Sequence, residues 1–369
     1  MMNKCKAFLQ KKNVVLSFRR YGIEALSAMA QGLFCTLLVG TILNTIGQQL
    51  HIGFLTTPVV TVGAGSSAVS YTIGGLASAM VGPGIAVAVG AALACPPLVL
   101  LSLIPVGYAA NALAGAGGPL AVYLVTIAAS ELGKLVSRET RVDILVTPCV
   151  TVLSGTAVAL VIAAPIGRAA QAVGYAIMWA TELQPFFMGI LVSIIIGMAL
   201  TLPISSAAIC AAFGLAGLAG GAAVAGCCAQ MIGFAVMSFK ENGWGGLFAQ
   251  GIGTSMLQMP NILKNPRVWI PPTVASMITG PLATCVFRLE MNGAPVSSGM
   301  GTCGFVGQIG VYTGWVNDVA SGAKASITAF DWIGLIMICI ILPAVISWGI
   351  GEVMRRKGWI AEGDLTLDL

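Results

Sequence analysis

Only 8% of this 369-residue chain is Asp, Glu, Lys or Arg, and that scarcity constrains the fold more than any motif does. An average soluble domain carries about 25% of these residues. A soluble fold of this length could not cover its surface with so few charges. Hydrophobic residues make up 57% of the chain, 47 residues are Gly, and the mean hydropathy is +0.94. Lipid is therefore the expected solvent for most of the sequence. At roughly 20 residues per span, the length accommodates about eight to ten crossings and leaves no room for a soluble catalytic domain.

The same composition excludes several chemistries. Histidine occurs once, at His51, so a His-based zinc site or phosphoryl relay has almost no raw material. The ten cysteines fall mostly inside apolar runs with no Cys-x-x-Cys, which reads as small buried residues and not as a metal centre or disulfide framework. No catalytic residue, metal site or cofactor is expected. The net charge of +5 invites comparison with nucleic-acid binders, but its distribution argues against one. Lys4, Lys6, Lys11, Lys12, Arg19 and Arg20 precede the first apolar run, and Arg355, Arg356 and Lys357 follow the last. Both clusters are juxtamembrane, so both termini are expected on the cytoplasmic side and the number of full crossings is expected to be even. The N-terminal stretch does not read as a cleaved signal peptide, because its basic part is about 20 residues long and the apolar run after it continues for a whole span without a clear small-x-small cleavage site.

Apolar runs at 23–47, 98–113, 120–136, 144–166, 186–202, 269–287 and 333–350 read as spans, and the Gly-rich stretch 55–94 splits near Pro83. The segment 168–182 is more amphipathic, with Trp179 at an interfacial-looking position. Residues 240–267 form the longest polar connection. Two further Gly-rich segments, 204–237 and 292–314, read either as re-entrant hairpins or as broken helices, and periodicity does not choose between them. Thr57–Val62 resembles Thr147–Val152, and Pro105–Ala112 resembles Pro165–Ala172, weak traces of a repeat-built transporter.

Gly299-Met-Gly-Thr-Cys-Gly304 matches Gly-x-Gly-x-x-Gly literally, but its neighbours are membrane spans and not the strand and helix of a dinucleotide site. A broken helix is the better reading. Backbone groups at membrane depth are tolerated only where they are buried in protein or line a cavity, and there they bind polar solutes. Asn292, Ser297, Ser298, Thr302 and Gln308 have that composition, against the plainer alternative of a turn between packed helices. Arg288 and Glu290 end a span beside this segment and are the leading charged candidates, at even odds with a helix-end pair. Gln258, Asn261 and Lys264 supply donors and acceptors suited to a hydroxyl-rich ligand, although loop residues look similar. Glu131 and Lys134, three apart, are placed to pair on one helix face.

The blocks Gln258-Met-Pro-Asn-Ile-Leu-Lys-Asn-Pro-Arg267, Trp269-Ile-Pro-Pro-Thr273, Thr279-Gly-Pro-Leu-Ala283, Gly299–Thr302 and Gly307-Gln-Ile-Gly310 resemble the EIIC-like membrane permeases of the bacterial phosphoenolpyruvate-dependent phosphotransferase system, in the branch that includes toxin-regulator-like members. The resemblance implies an all-α polytopic protein of elevator type, usually a homodimer, in the bacterial cytoplasmic membrane. It also implies a scaffold and dimerisation half over 21–183, a transport half over 184–354, a basic segment over 1–20 and a tail over 355–369. The solute would lie between re-entrant hairpins and be phosphorylated by a separate EIIB partner. The well-studied sugar permeases use a Glu in an Ile-Thr-Glu-Pro-like motif and a His, and this chain lacks that motif. The expected function is passage of a polar solute, a sugar or related metabolite. The alternatives are an EIIC-derived sensor or regulator, and a phosphotransferase-independent carrier of an organic anion.

Overall fold

The computed structural model describes residues 8–63 and 68–367. Helices dominate, and among the described residues the only sheet is the short hairpin β1 (Val60–Val62) and β2 (Val69–Tyr71). Among the described residues five helical stretches, Pro97–Val136 counted as one, are long and apolar enough to cross a membrane, or six when the bent pair Ile73–Ala79 and Val81–Ala92 counts as one span. The protein is an all-α polytopic membrane protein. Two compact units divide the chain, Met1–Arg168 and Ala169–Leu369.

The first unit is built on α1 (Arg19–Gln48), α2 (Ile73–Ala79), α3 (Val81–Ala92), α4 (Pro97–Ala114) and α5 (Gly118–Val136). The break between α2 and α3 falls at Met80, with a 55° bend, and not at Pro83. Pro83 sits in the first turn of α3, where a missing backbone N–H costs nothing. The stretch Pro97–Val136 is one apolar run that reverses at Gly115 (φ 53°). Gly118 then lies against Asn111, and Gly133 against Val99, as an antiparallel pair requires.

The next helix, α6 (Asp143–Thr181), is 39 residues long and carries Pro148 and Pro165 in its interior. Residues 168–181 therefore continue the preceding span and do not form a separate interfacial helix. One of the two repeat traces diverges. Thr57–Val62 runs into strand β1, whereas Thr147–Val152 is helical, so that match reflects biased composition.

The second unit centres on α9 (Gly217–Met237), whose best membrane window is 89% buried, against 22% for α6. Around it pack α7 (Pro185–Thr201), α12 (Ile270–Pro281) and α14 (Ala329–Arg356). Small side chains make this possible. A methyl added at Gly226 would overlap the Ser193 carbonyl of α7, and one at Gly221 the Leu289 carbonyl. At Gly233 it would meet Pro272 and Ser347. Without a hydrophobic drive between helices in lipid, such close backbone approach is what holds them together.

The two Gly-rich segments differ from ordinary spans. In 204–237 a short helix, α8 (Ser206–Ala212), turns at Gly214 (φ 62°) and feeds α9. In 292–314 a 3-10 turn over Pro295–Gly299 leads through Gly301, Gly304 and Phe305, all at positive φ, into α13 (Val306–Ala320). The polar connection 240–267 is not a loop. It folds as α10 (Phe239–Phe248), a π turn, a 3-10 turn and α11 (Met259–Lys264), with Gln250, Thr254, Ser255, Gln258 and Asn261 buried.

Candidate functional site

The candidate solute-binding residues fall into three places in the second unit. The first is a clasp between the two Gly-rich segments. Gly217 and Met291 exchange a pair of backbone hydrogen bonds, each 3.0 Å, where the segments meet. Ser298 Oγ donates to the Leu215 carbonyl (2.6 Å), and Ser206 Oγ donates to the Gly299 carbonyl (2.7 Å). Each segment thus supplies one hydroxyl to satisfy a carbonyl freed by the other's break. Gly299 packs onto the backbone of Ser206, too close for any side chain.

Ser297 and Thr302 are buried in the same clasp, and the Thr302 hydroxyl faces the Met231 sulfur at 3.5 Å. Gln308 lies with one end of its amide 3.1 Å from the Gly301 carbonyl and 3.3 Å from the Phe305 carbonyl, and the assignment that satisfies the amide places its nitrogen there as donor, closing the tip on itself. Buried polar groups must be paired, and Ser206 and Ser298 pair across the clasp.

The second place is an amide ladder. Gln258 Nε2 donates to Gln250 Oε1 (2.9 Å) and to the Leu365 carbonyl (3.0 Å). Asn261 Nδ2 donates to Gln258 Oε1 and to the Thr366 carbonyl, both at 2.8 Å. Lys264 Nζ reaches Asn261 Oδ1 at 3.4 Å. Asn242 and Asn265 extend the ladder, bonding the Leu365 carbonyl (2.8 Å) and the Asp364 carboxylate (2.8 Å). The C-terminal segment therefore lies along these amides, with Ile360 and Leu365 buried.

The third place lies beside the start of the second Gly-rich segment. Asn292 Nδ2 donates to Asp318 (2.9 Å) and Glu290 (3.2 Å), and these residues line a cavity of about 290 Å3 with Arg288, Lys324 and Asp331. Arg288 adopts φ 45°, uncommon for a residue with a side chain.

A further polar network carries residues that sequence reasoning did not single out. Gln230 Oε1 accepts from Trp269 Nε1 (2.9 Å), and Gln230 Nε2 donates to Thr273 Oγ1 (3.3 Å). Thr201 joins Gln230 (3.4 Å) to Ser255 (2.8 Å). One signal was available. Gln230 is the only amide or charged side chain in the 21 residues of α9, and an isolated polar group in a span usually has a partner on another helix.

In the first unit Lys134 and Glu131 pair at 2.8 Å, with the lysine side chain 1% exposed. Lys134 Nζ also donates to the carbonyls of Asn13 (3.1 Å) and Leu93 (3.3 Å). Nearby, Glu139 accepts from Lys12, and that hydrogen bond, helped by the Lys12 and Lys11 charges, holds its carboxyl below the usual range. Among the described residues no cluster of His, Cys, Asp and Glu is arranged to hold a metal ion.

Broken helices that clasp one another, with hydroxyls and carbonyls satisfied inside an apolar bundle, are the form irregular backbone takes in polytopic membrane proteins. The family model described as "Phosphotransferase system, EIIC" matches residues 23–367, and the chain belongs to that family. No curated protein matches the chain, and no solved structure does.

Proposed function

We propose that this chain is the permease component of a phosphotransferase system in the bacterial cytoplasmic membrane, with both termini on the cytoplasmic side. It passes a neutral polyhydroxyl solute, a sugar or related metabolite, through the half spanning 184–354. The scaffold and dimer contact of a homodimer lie in 21–183, and a separate EIIB protein phosphorylates the solute. The observation that carries this reading is the reciprocal clasp, in which Ser206 and Ser298 each bond the carbonyl of the opposite segment. Opening such a clasp exposes hydroxyls and carbonyls together, a lining matched to sugar hydroxyls and poorly matched to a net charge. Ser297, Thr302, Gln308, Glu290 and Asn292 belong to the same half and complete the proposed solute path.

Uptake of labelled hexoses, pentoses and hexitols into proteoliposomes, with and without EIIB and its phosphodonor, tests the proposal. Uptake of one solute class is expected, reduced tenfold or more by Ser298→Ala. No uptake of any solute would sink it. The regulator reading has one observation in its favour. The amides Gln258 and Asn261, expected to face solute, are bonded to the C-terminal segment. Solute binding without uptake would support that reading.

A further inference from the structure

Three helical stretches of the first unit end at one place. Asn13 (φ 55°), Ala94 (φ 52°) and Arg138 (φ 62°) are left-handed just after residues 8–11, α3 and α5, and so turn the chain away from each helix end. Between them lies a cavity of about 330 Å3, lined among others by Lys11, Lys12, Asn13, Lys134, Ser137 and Arg138. That volume is at the lower end of the range for small-molecule sites, roughly 300–1,000 Å3.

Helix ends leave carbonyls without partners, and three cations are committed to them here. Lys12 donates to the Ser137 carbonyl, Lys134 to those of Asn13 and Leu93, and Arg20 to Leu93 (2.5 Å). Glu139 pairs with Lys12 at 2.5 Å and Glu131 with Lys134 at 2.8 Å. Other donors are left over. The Arg138 guanidinium is exposed and makes no hydrogen bond or salt bridge among the described residues. The Lys11 side chain is 73% exposed and shares Glu139, at 3.7 Å, with Lys12. Asn13 accepts from Arg20 through Oδ1 (3.0 Å), which leaves its amide NH2 to give. Ser137 is 4% exposed, and its hydroxyl has no partner among the described residues. Unlike the hydroxyl of Ser130, it is not sealed off, and Ser137 lines the cavity. A polar group so placed calls for a ligand or water.

Charge selects the class of ligand. Lys11, Lys12, Arg20, Lys134 and Arg138 meet here against Glu131, Glu139 and Asp143, which leaves two positive charges in excess. Exposed donors beside an excess of positive charge suit the oxygens of a phosphate. The surroundings suit an amphiphile. On leaving the cavity one chain segment runs into Val15, Leu16 (80% exposed) and Phe18, and another into Val142, Ile144 (72% exposed) and Leu145, all of them exposed. A free phosphate has no use for such side chains. A headgroup whose acyl chains continue into the bilayer does, and basic pockets at the ends of membrane helices bind such headgroups.

We propose that this cavity is a headgroup site for an anionic phospholipid, its phosphate held by Arg138, Lys11 and the Ser137 hydroxyl. The site lies wholly within the first unit and does not rest on the proposed solute path.

Native mass spectrometry of the delipidated full chain in neutral detergent reads the affinity for the first bound lipid. Phosphatidylglycerol is expected to bind about tenfold more tightly than phosphatidylcholine, as two surplus cations near a membrane surface predict. The double variant Lys11→Gln, Arg138→Gln is expected to bring phosphatidylglycerol down to the phosphatidylcholine level. Ser137→Ala is expected to weaken phosphatidylglycerol about threefold, the effect of one lost hydrogen bond, and carries the test alone should the double variant not fold. Arg356→Gln, which removes an exposed cation at the end of α14, is expected to change nothing. Equal binding of the two lipids, an unchanged preference in the cavity variants that fold, or an equal loss in Arg356→Gln would overturn the proposal. Displacement of phosphatidylglycerol by sn-glycerol 3-phosphate or inorganic phosphate at comparable concentration would overturn the lipid as occupant and assign the cavity to a soluble phosphate.

Discussion

Lys134 shows how a charge survives inside this protein. Its ammonium has three hydrogen bonds to give, and Glu131, Asn13 and Leu93 take them. Removing one partner of a buried pair strands the other, at a cost of about 3–5 kcal/mol. Lys134→Met should therefore lower stability by about that amount, and adding Glu131→Gln should recover much of it, as followed by thermal unfolding in detergent. Equal losses in the single and double variants would show that the pairing is not what matters. The i, i+3 spacing made this pair legible in sequence. The partners of Gln258 and Asn261 were not legible, because nothing local to residues 258–261 announces carbonyls more than a hundred positions away.

At the scale of elements, glycine does two jobs that sequence does not separate. In α9, Gly226 stands against the Ser193 carbonyl of α7 with no space for a methyl. In α14, Gly349 has nothing within 4 Å of an added one. Gly226→Ala should destabilise by about 1–3 kcal/mol through overpacking. Gly349→Ala should be neutral or stabilise by up to about 1 kcal/mol, since Ala forms helix better. Melting temperatures of the two variants, measured side by side, check the opposite signs. The boundaries of α4 and α5 follow from their apolar runs and the Gly-Ala-Gly-Gly-Pro turn between them. The helical fold of 240–267 does not, because polar composition there signals burial against other polar groups and not solvent.

At the scale of the whole molecule, lipid replaces water as the surrounding medium. Large apolar side chains lie on the outside of α6, Leu153 among them at 72% exposure. Cys35 on α1 and Cys149 on α6 are exposed in the same way. A charged maleimide should leave both unlabelled in proteoliposomes, even when present on both faces, and should label them once SDS unfolds the protein. Labelling in the intact membrane, read by peptide mass spectrometry, would remove those helices from the bilayer.

Scarce charge and long apolar runs determined, without any structure, that this chain folds as membrane helices, because only helices and closed barrels satisfy the backbone in lipid and runs of this length lack the alternation of barrel strands. The blocks around Gln258 and Gly299 pointed to its family for the same reason that they are legible: polar and Gly-rich strings are conspicuous in an apolar chain. Only the tertiary structure decided which polar groups meet. It joined Ser298 to Leu215 and Ser206 to Gly299 in one clasp, and laid the C-terminal segment along Gln258 and Asn261. The reason is physical. Small, apolar helices carry almost no local pattern that distinguishes one face from another, so their pairing is set by close backbone contact across the bundle, and the polar groups are placed by that packing.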